Sequence, residues 1–170
     1  MVRAFLLALL TFPLSTSAAF APADVVAAGK AKRNAYVTNS VFWGGDALAN
    51  PMSLTGVRWA PNQGYERLVI DLGGEGNGWE AKLPPYFQVG VSSSRNVISV
   101  SIKGVTERHV SEDILARTVR KSSMIENAYL APPLEGDLAA LEFSVRKPVD
   151  VETFYLVNPP RIVIDVRARN

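Results

Sequence analysis

Apolar and polar residues alternate along most of this chain with a period of two. Val97-Ile-Ser-Val-Ser-Ile102 is the cleanest run, with Ile98, Val100 and Ile102 on one face and Ser99 and Ser101 on the other. Such alternation predicts a strand with one side to a core and one to water, as in an antiparallel sheet. Similar runs predict strands at Leu54–Trp59, Tyr65–Leu72, Tyr86–Ser92, Ser123–Leu130, Leu138–Val145, Val149–Leu156 and Arg161–Val166. Clusters of turn residues separate them, including Pro61-Asn62-Gln63-Gly64, Lys147-Pro148 and Asn158-Pro159-Pro160. The first of these clusters predicts a hairpin. Strands this short and closely spaced predict an all-β fold. One exception to the pattern is Thr106 to Arg120, where Ser111 precedes Glu112-Asp113 and a stripe of Ile114, Leu115, Thr118 and Val119. This predicts a short capped helix near 111–119, with an irregular crossover into a strand at Ala116–Arg120 as the alternative.

Two of the strands are copies of one another. Arg67-Leu-Val-Ile-Asp71-Leu72 matches Arg161-Ile-Val-Ile-Asp165-Val166 in residue type at every position. In each copy the even positions are aliphatic: Leu68, Ile70 and Leu72, then Ile162, Ile164 and Val166. These must face the core, so Arg67 and Asp71, and Arg161 and Asp165, point to an outer sheet face. Burying any of the four unpaired would cost several kcal/mol, roughly. Duplication also predicts two related halves, so the expected architecture is a small sandwich of two related, mainly antiparallel sheets.

The first 52 residues lack this pattern. Arg3 followed by the apolar run Ala4 to Leu14 and the small-residue stretch Ser15 to Ala21 reads as a secretory signal peptide, residues 1–19, with cleavage after Ala19 or Ala21. The run is too short to span a bilayer, which needs about 20 apolar residues, and no later stretch predicts a membrane span. Residues 20–52 read as an extended lead-in. Ala23 to Lys32 predicts a turn or two of helix, Ala35–Val41 a strand, and Phe42-Trp43 a pair of rings docked on the domain. A disordered linker is the competing expectation. The domain proper is then 53–170.

Composition narrows the setting. The chain has 170 residues, no cysteine and a net charge of +2. That charge, without a dense basic stripe, gives no footing for nucleic acid. The missing cysteines exclude disulfides, thiolate metal sites and a lipid anchor at the cleavage point. An exported chain held by its core alone fits a bacterial periplasm.

The terminal run Asn158-Pro-Pro-Arg-Ile-Val-Ile-Asp165, after Val151-Glu-Thr-Phe-Tyr155, resembles the closing motif of AMIN domains. So does the earlier progression of Val57-Arg58-Trp59, a glycine turn, Arg67 to Leu72, and a proline before Tyr86. The resemblance spans about Leu54 to Val166, with nothing recognisable in Glu107 to Arg120. It implies a small β-sandwich of the Gram-negative envelope, found with N-acetylmuramoyl-L-alanine amidases and secretins and implicated in peptidoglycan binding. Only Arg167 to Asn170 follow the motif, so a non-catalytic binding module is expected. A protein–protein adaptor in a pilus, secretion or division assembly is the alternative, docking by strand addition or through Phe42-Trp43.

For a peptidoglycan ligand the expected contacts are Arg67, Asp71, Arg161 and Asp165. Arginine offers a planar donor fork to carboxylates, and aspartate accepts from hydroxyls and amides. The plainer expectation is that each arginine pairs with an acid on a neighbouring strand, worth about 0–1 kcal/mol at a surface. Trp59, Tyr65, Trp79, Tyr86 and Tyr155 are the candidate sugar platforms, against the plainer expectation that they fill the core or cover the sandwich ends; Trp79, beside the glycine-rich stretch Gly73 to Gly78, is the exception to that expectation. The glycine stretch lacks the Gly-Lys-Ser/Thr of a phosphate loop. His109, the single histidine, has no companions at metal-ligand spacing. No cofactor is expected. Glu66, Asp71 and Asp165 are carboxylates of the type a glycosidase uses, but no motif selects a pair.

Overall fold

A computed structural model describes residues 23–73, 83–132 and 136–169. The chain begins with β1 (Asp24–Ala27), β2 (Ser40–Gly44), β3 (Met52–Asn62) and β4 (Tyr65–Gly73). Then come β5 (Phe87–Ser92), β6 (Val97–Ile102), β7 (Val105–Arg108) and the helix α1 (Glu112–Val119). It closes with β8 (Ile125–Leu130), β9 (Ala139–Val145), β10 (Val149–Leu156) and β11 (Arg161–Ala168). The strands form a sandwich of two sheets, one ordered β1-β2-β5-β6-β9-β8 and the other β10-β11-β4-β3-β7. Pairing is antiparallel except for β1 with β2 and β3 with β7.

Period-two alternation is what builds the core. Leu68, Ile70 and Leu72 of β4 and Ile162, Ile164 and Val166 of β11 are all buried, and they meet Phe87, Val89, Ile98, Val100, Leu141 and Phe143 from the opposite sheet. Each such side chain removed from water stabilises the fold by about 1.5–3 kcal/mol. The β3–β4 hairpin turns at Gln63-Gly64, and Gly64 has a φ of +82°, a backbone region that side-chain-bearing residues seldom enter. Space is not the constraint, because a Cβ there would touch nothing. The expected helix forms. Ser111 caps it, its Oγ accepting from the Ile114 amide at 3.4 Å, and Leu115 and Val119 are its buried face.

The region before β3 differs from the sequence expectation in detail. Val25 and Val26 lie in a strand instead of a helical turn: β-branched residues suit a pleated edge, and β1 pairs in parallel with β2 over four residues. The later strand spans Ser40–Gly44 instead of Ala35–Val41. Phe42 does dock, buried in the core, while Trp43 faces outward. Between these strands, residues 29–37 cross to the other sheet and run along the free edge of β10. Val37 and Val151 exchange backbone hydrogen bonds at 2.9 and 2.8 Å, and the Tyr155 amide donates to the Gly29 carbonyl at 2.9 Å. This strap satisfies edge groups that would otherwise template strand pairing. The expected signal peptide, and Trp79 with most of its glycine stretch, lie outside the described residues.

Candidate functional site

The two copies of the Arg-x-x-x-Asp strand are not placed one to each sheet. They are neighbours, β4 beside β11, antiparallel and in register about Val69 and Val163. Antiparallel pairing of two identical motifs about their centres sets each arginine opposite the other copy's aspartate. Arg161 therefore faces Asp71, and Arg67 faces Asp165. Both pairs form on the outer face of the five-stranded sheet. Arg67 grips Asp165 with two parallel bonds, Nε to Oδ1 at 2.7 Å and Nη2 to Oδ2 at 2.9 Å. Arg161 Nε lies 3.2 Å from Asp71 Oδ1.

Beyond this shared pattern the two pairs diverge. Asp165 is fully buried under the strap. Lys32 of the strap bonds to Asp165 Oδ2, donates to the Tyr36 hydroxyl at 2.7 Å, and lies 3.4 Å from Glu152. Glu152 is directly across from Asp165 on β10 and also accepts the Arg33 amide at 2.5 Å. Aromatic rings close the cluster. Lys32 stands 4.2 Å over the Tyr65 ring, and Arg67 packs between Tyr65 and Phe154 at 5.5 and 5.4 Å. Burial works against the charge on Lys32, but hydrogen bonds to Asp165 and Tyr36 and the attraction of the Asp165 charge outweigh it. The ammonium is held above the ordinary lysine value. Two cations thus meet two carboxylates, and the cluster is neutral.

At the other pair Asp71 has a second partner in Arg58 of β3, whose Nε and Nη2 donate to the two carboxylate oxygens at 2.6 and 2.7 Å. Two guanidiniums share one carboxylate, an excess of one positive charge. The side chains of Asp71, Arg161 and Arg58 are 22, 33 and 58% exposed. Arg161 Nε is buried and, although near Asp71, has no aligned hydrogen-bond partner among the described residues. Arg161 makes no side-chain hydrogen bond to a described residue, so its five donors are unpaired among them.

Of the remaining sequence candidates, Tyr86 lies just before β5 of the other sheet, where its hydroxyl accepts from Gln88 at 2.8 Å. It lines a pocket of about 80 Å³ with Lys103 and Asp137, apart from the Arg/Asp pairs. Trp79 lies outside the described residues. Tyr155 is buried with its ring edge-on to Phe87. Trp59 donates from Nε1 to Glu66 at 2.9 Å. Glu66 is a buried carboxylate on the inner side of β4, and the turn after α1 folds onto it. Ser122 Oγ, Ser123 N at 2.8 Å and Ser123 Oγ at 2.7 Å all donate to it. Burial alone would raise its pKa, but these bonds outweigh burial and hold the carboxyl below its ordinary range. A cleft of about 830 Å³ opens beside it, lined by Tyr65, Ser123, Asp150 and Arg167 among others.

Lys32, Tyr36, Arg58 and Glu152 escaped the sequence reading. Arg58 had a signal, since alternation with the buried Val57 turns it outward. Lys32 had none: it lies in an irregular stretch 133 residues from Asp165. Among the described residues no cluster of His, Asp or Glu is arranged to hold a metal, and no helix is long and apolar enough to cross a membrane. His109 is exposed, 3.3 Å from Glu107. Compared with known families, residues 52–168 match the family model described as AMIN-like domain. No curated protein matches the chain.

Proposed function

The chain belongs to the AMIN-like domain family over residues 52–168, and from that premise we propose that it is an exported, non-catalytic module binding peptidoglycan in the periplasm. The family supplies the ligand class. The observation that supports a place for it is the charge imbalance between the two Arg/Asp pairs. The covered pair, Arg67 with Asp165, is neutralised by Lys32 and Glu152, and the strap buries its carboxylate while Arg67 stays 30% exposed. The open pair offers Arg161, with unused donors, and Arg58, both partly exposed around a single Asp71. That arrangement is a receptor for a carboxylate, the group carried by peptidoglycan stem peptides. Of the four residues expected from the motif, Arg161 and Asp71 are assigned to the ligand, and Arg67 and Asp165 to holding the strap.

The carboxylates considered for hydrolysis support the non-catalytic reading. Asp71 and Asp165 are each engaged by arginines, and Glu66 is held below its ordinary range by four donors, so Glu66 is no proton donor near neutral pH. The adaptor alternative gains nothing from residues 23–44, which pack on their own domain. Residues 1–19 direct export in this reading, and N-terminal sequencing of the envelope-fraction protein checks that.

The central test is co-sedimentation with purified sacculi. The wild type pellets, and the Arg58→Ala/Arg161→Ala double variant stays in the supernatant. A wild type that stays in the supernatant removes the function; a double variant that still pellets removes the site. Release of muropeptides by the purified protein would replace binding with hydrolysis.

A further inference from the structure

The outer face of the six-stranded sheet is unlike the cationic face on the opposite side of the sandwich. Its pairing register places two rows of side chains across the sheet. One runs from Val41 of β2 through Gly90, Ser99 and Glu142 to Tyr129 of β8; the other runs from Trp43 through Gln88 and Ser101 to Ala140. Trp43 and Tyr129 stand at opposite sides, 44 and 46% exposed, unusually open for such large rings. Four strand spacings separate β2 from β8, about 19 Å. Between them the floor is low and hydroxylated, made of Gly90, Ser99 and Ser101. Gly90 keeps it so: a Cβ there would come within 2.8 Å of Ser99 Oγ. The charged residue in these rows is Glu142, with Arg95 3.8 Å away.

We infer that this face binds an uncharged polysaccharide chain lying across the strands, with a sugar ring on Trp43, another on Tyr129, and the intervening sugars over the serine and glycine floor. Charge decides the class of occupant. Phosphate, carboxylate and basic ligands find no net charge to meet here. A protein partner would need a contiguous apolar centre, whereas here the apolar patch of Val25, Val41 and Trp43 lies at one edge of the sheet and is split from Tyr129 by a polar floor. Sugar chains combine apolar ring faces, which pack on aromatic faces, with hydroxyls and amides, which suit Gln88, Ser99 and Ser101. The separation of the rings calls for a chain of several sugars. The inference does not use the Arg58–Asp71–Arg161 cluster; with the function proposed above, it would put glycan and stem peptide on opposite faces of one module.

The test is a titration of the full chain with peptide-free β-1,4-linked N-acetylglucosamine oligomers of increasing length, followed by calorimetry. Affinity should rise with length until both rings are spanned and then level off. Trp43→Ala and Tyr129→Ala should each weaken binding roughly ten-fold or more, as loss of an anchor residue does. Arg58→Ala/Arg161→Ala should leave it unchanged. Each ring is more than half buried, so the denaturant midpoint of each variant is measured too, and a variant still fully folded at the titration temperature attributes its lost affinity to the missing contact. Failure to bind any oligomer while intact sacculi are still bound overturns this face and leaves the cationic site standing. Oligomer binding that neither ring substitution weakens also overturns it. Oligomer binding lost with either ring, in a protein that ignores the stem peptide, supports this face and removes the other.

Discussion

The two Arg/Asp pairs of β4 and β11 have the same residues, the same register and the same sheet, yet different fates. Asp165 is covered by the strap and has a lysine, an arginine and the neighbouring Glu152 around it. Asp71 is partly open and has two arginines. What separates them is not in the motif but in what packs over it. The covered pair lies where residues 29–37 cross to β10; the open pair lies at the far end of the same strands. The comparison teaches that a duplicated strand need not duplicate its surroundings: one Arg/Asp pair has its carboxylate buried, and the other has it partly open.

The largest expected effect is a stability difference between the two pairs. Asp165→Ala leaves Lys32 and Arg67 without their shared acceptor, and should cost about 2–4 kcal/mol, reduced from a fully buried pair because both cations are partly exposed. Asp71→Ala should cost about 0–1 kcal/mol. Urea denaturation of both variants measures this, and equal losses would break the comparison.

Next comes the strap. Lys32→Ala leaves Asp165 and Glu152, facing across adjacent strands, with less compensation, for a loss of about 1–2 kcal/mol. Hydrogen exchange should quicken at the Val37, Val151 and Tyr155 amides, which hold the strap to β10. The β6–β9 pairing should keep its protection. Uniform quickening would mean the strap is not a separate unit.

A pH series separates burial from ion pairing. Lys32 has a raised folded pKa, so its contribution is fully present below its ordinary value of 10.5 and is lost only as pH rises through the higher folded value. It is therefore constant across neutral pH. Glu66 has a lowered folded pKa, so its contribution is present above its ordinary value of 4.5 and is lost as pH falls through the lower folded value. Stability should thus fall on the acid side, and Glu66→Gln should flatten that fall while costing about 1–2 kcal/mol at neutral pH. An unchanged acid slope in the variant would place the titration elsewhere.

The smallest stability effect is expected at the open pair. Arg58→Ala should unfold within about 0.5 kcal/mol of the wild type and still bind sacculi more weakly. Thermal melts and co-sedimentation on the same preparation make the contrast with Asp165→Ala explicit.

Much of the fold was legible because it rests on local periodicity. The alternation at Val97–Ile102 and Arg161–Val166 placed the strands and their buried faces, and Ser111 with Glu112-Asp113 placed the helix. β7 and β1 were harder, because each is four residues long and pairs in parallel with a distant or irregular partner. The candidate site was half legible. Period two turned Arg67, Asp71, Arg161 and Asp165 outward, but outward did not mean exposed.

By itself the sequence determined which side of each strand meets the core, since that needs only the alternation of side chains along an extended backbone. It also carried the family, through a motif whose residues are contiguous. Only the tertiary structure decided that the two copies lie side by side, that each arginine holds the other copy's aspartate, and that Lys32 seals one of them. Those outcomes depend on strand order and on a crossing segment more than a hundred residues away, and no local pattern encodes either.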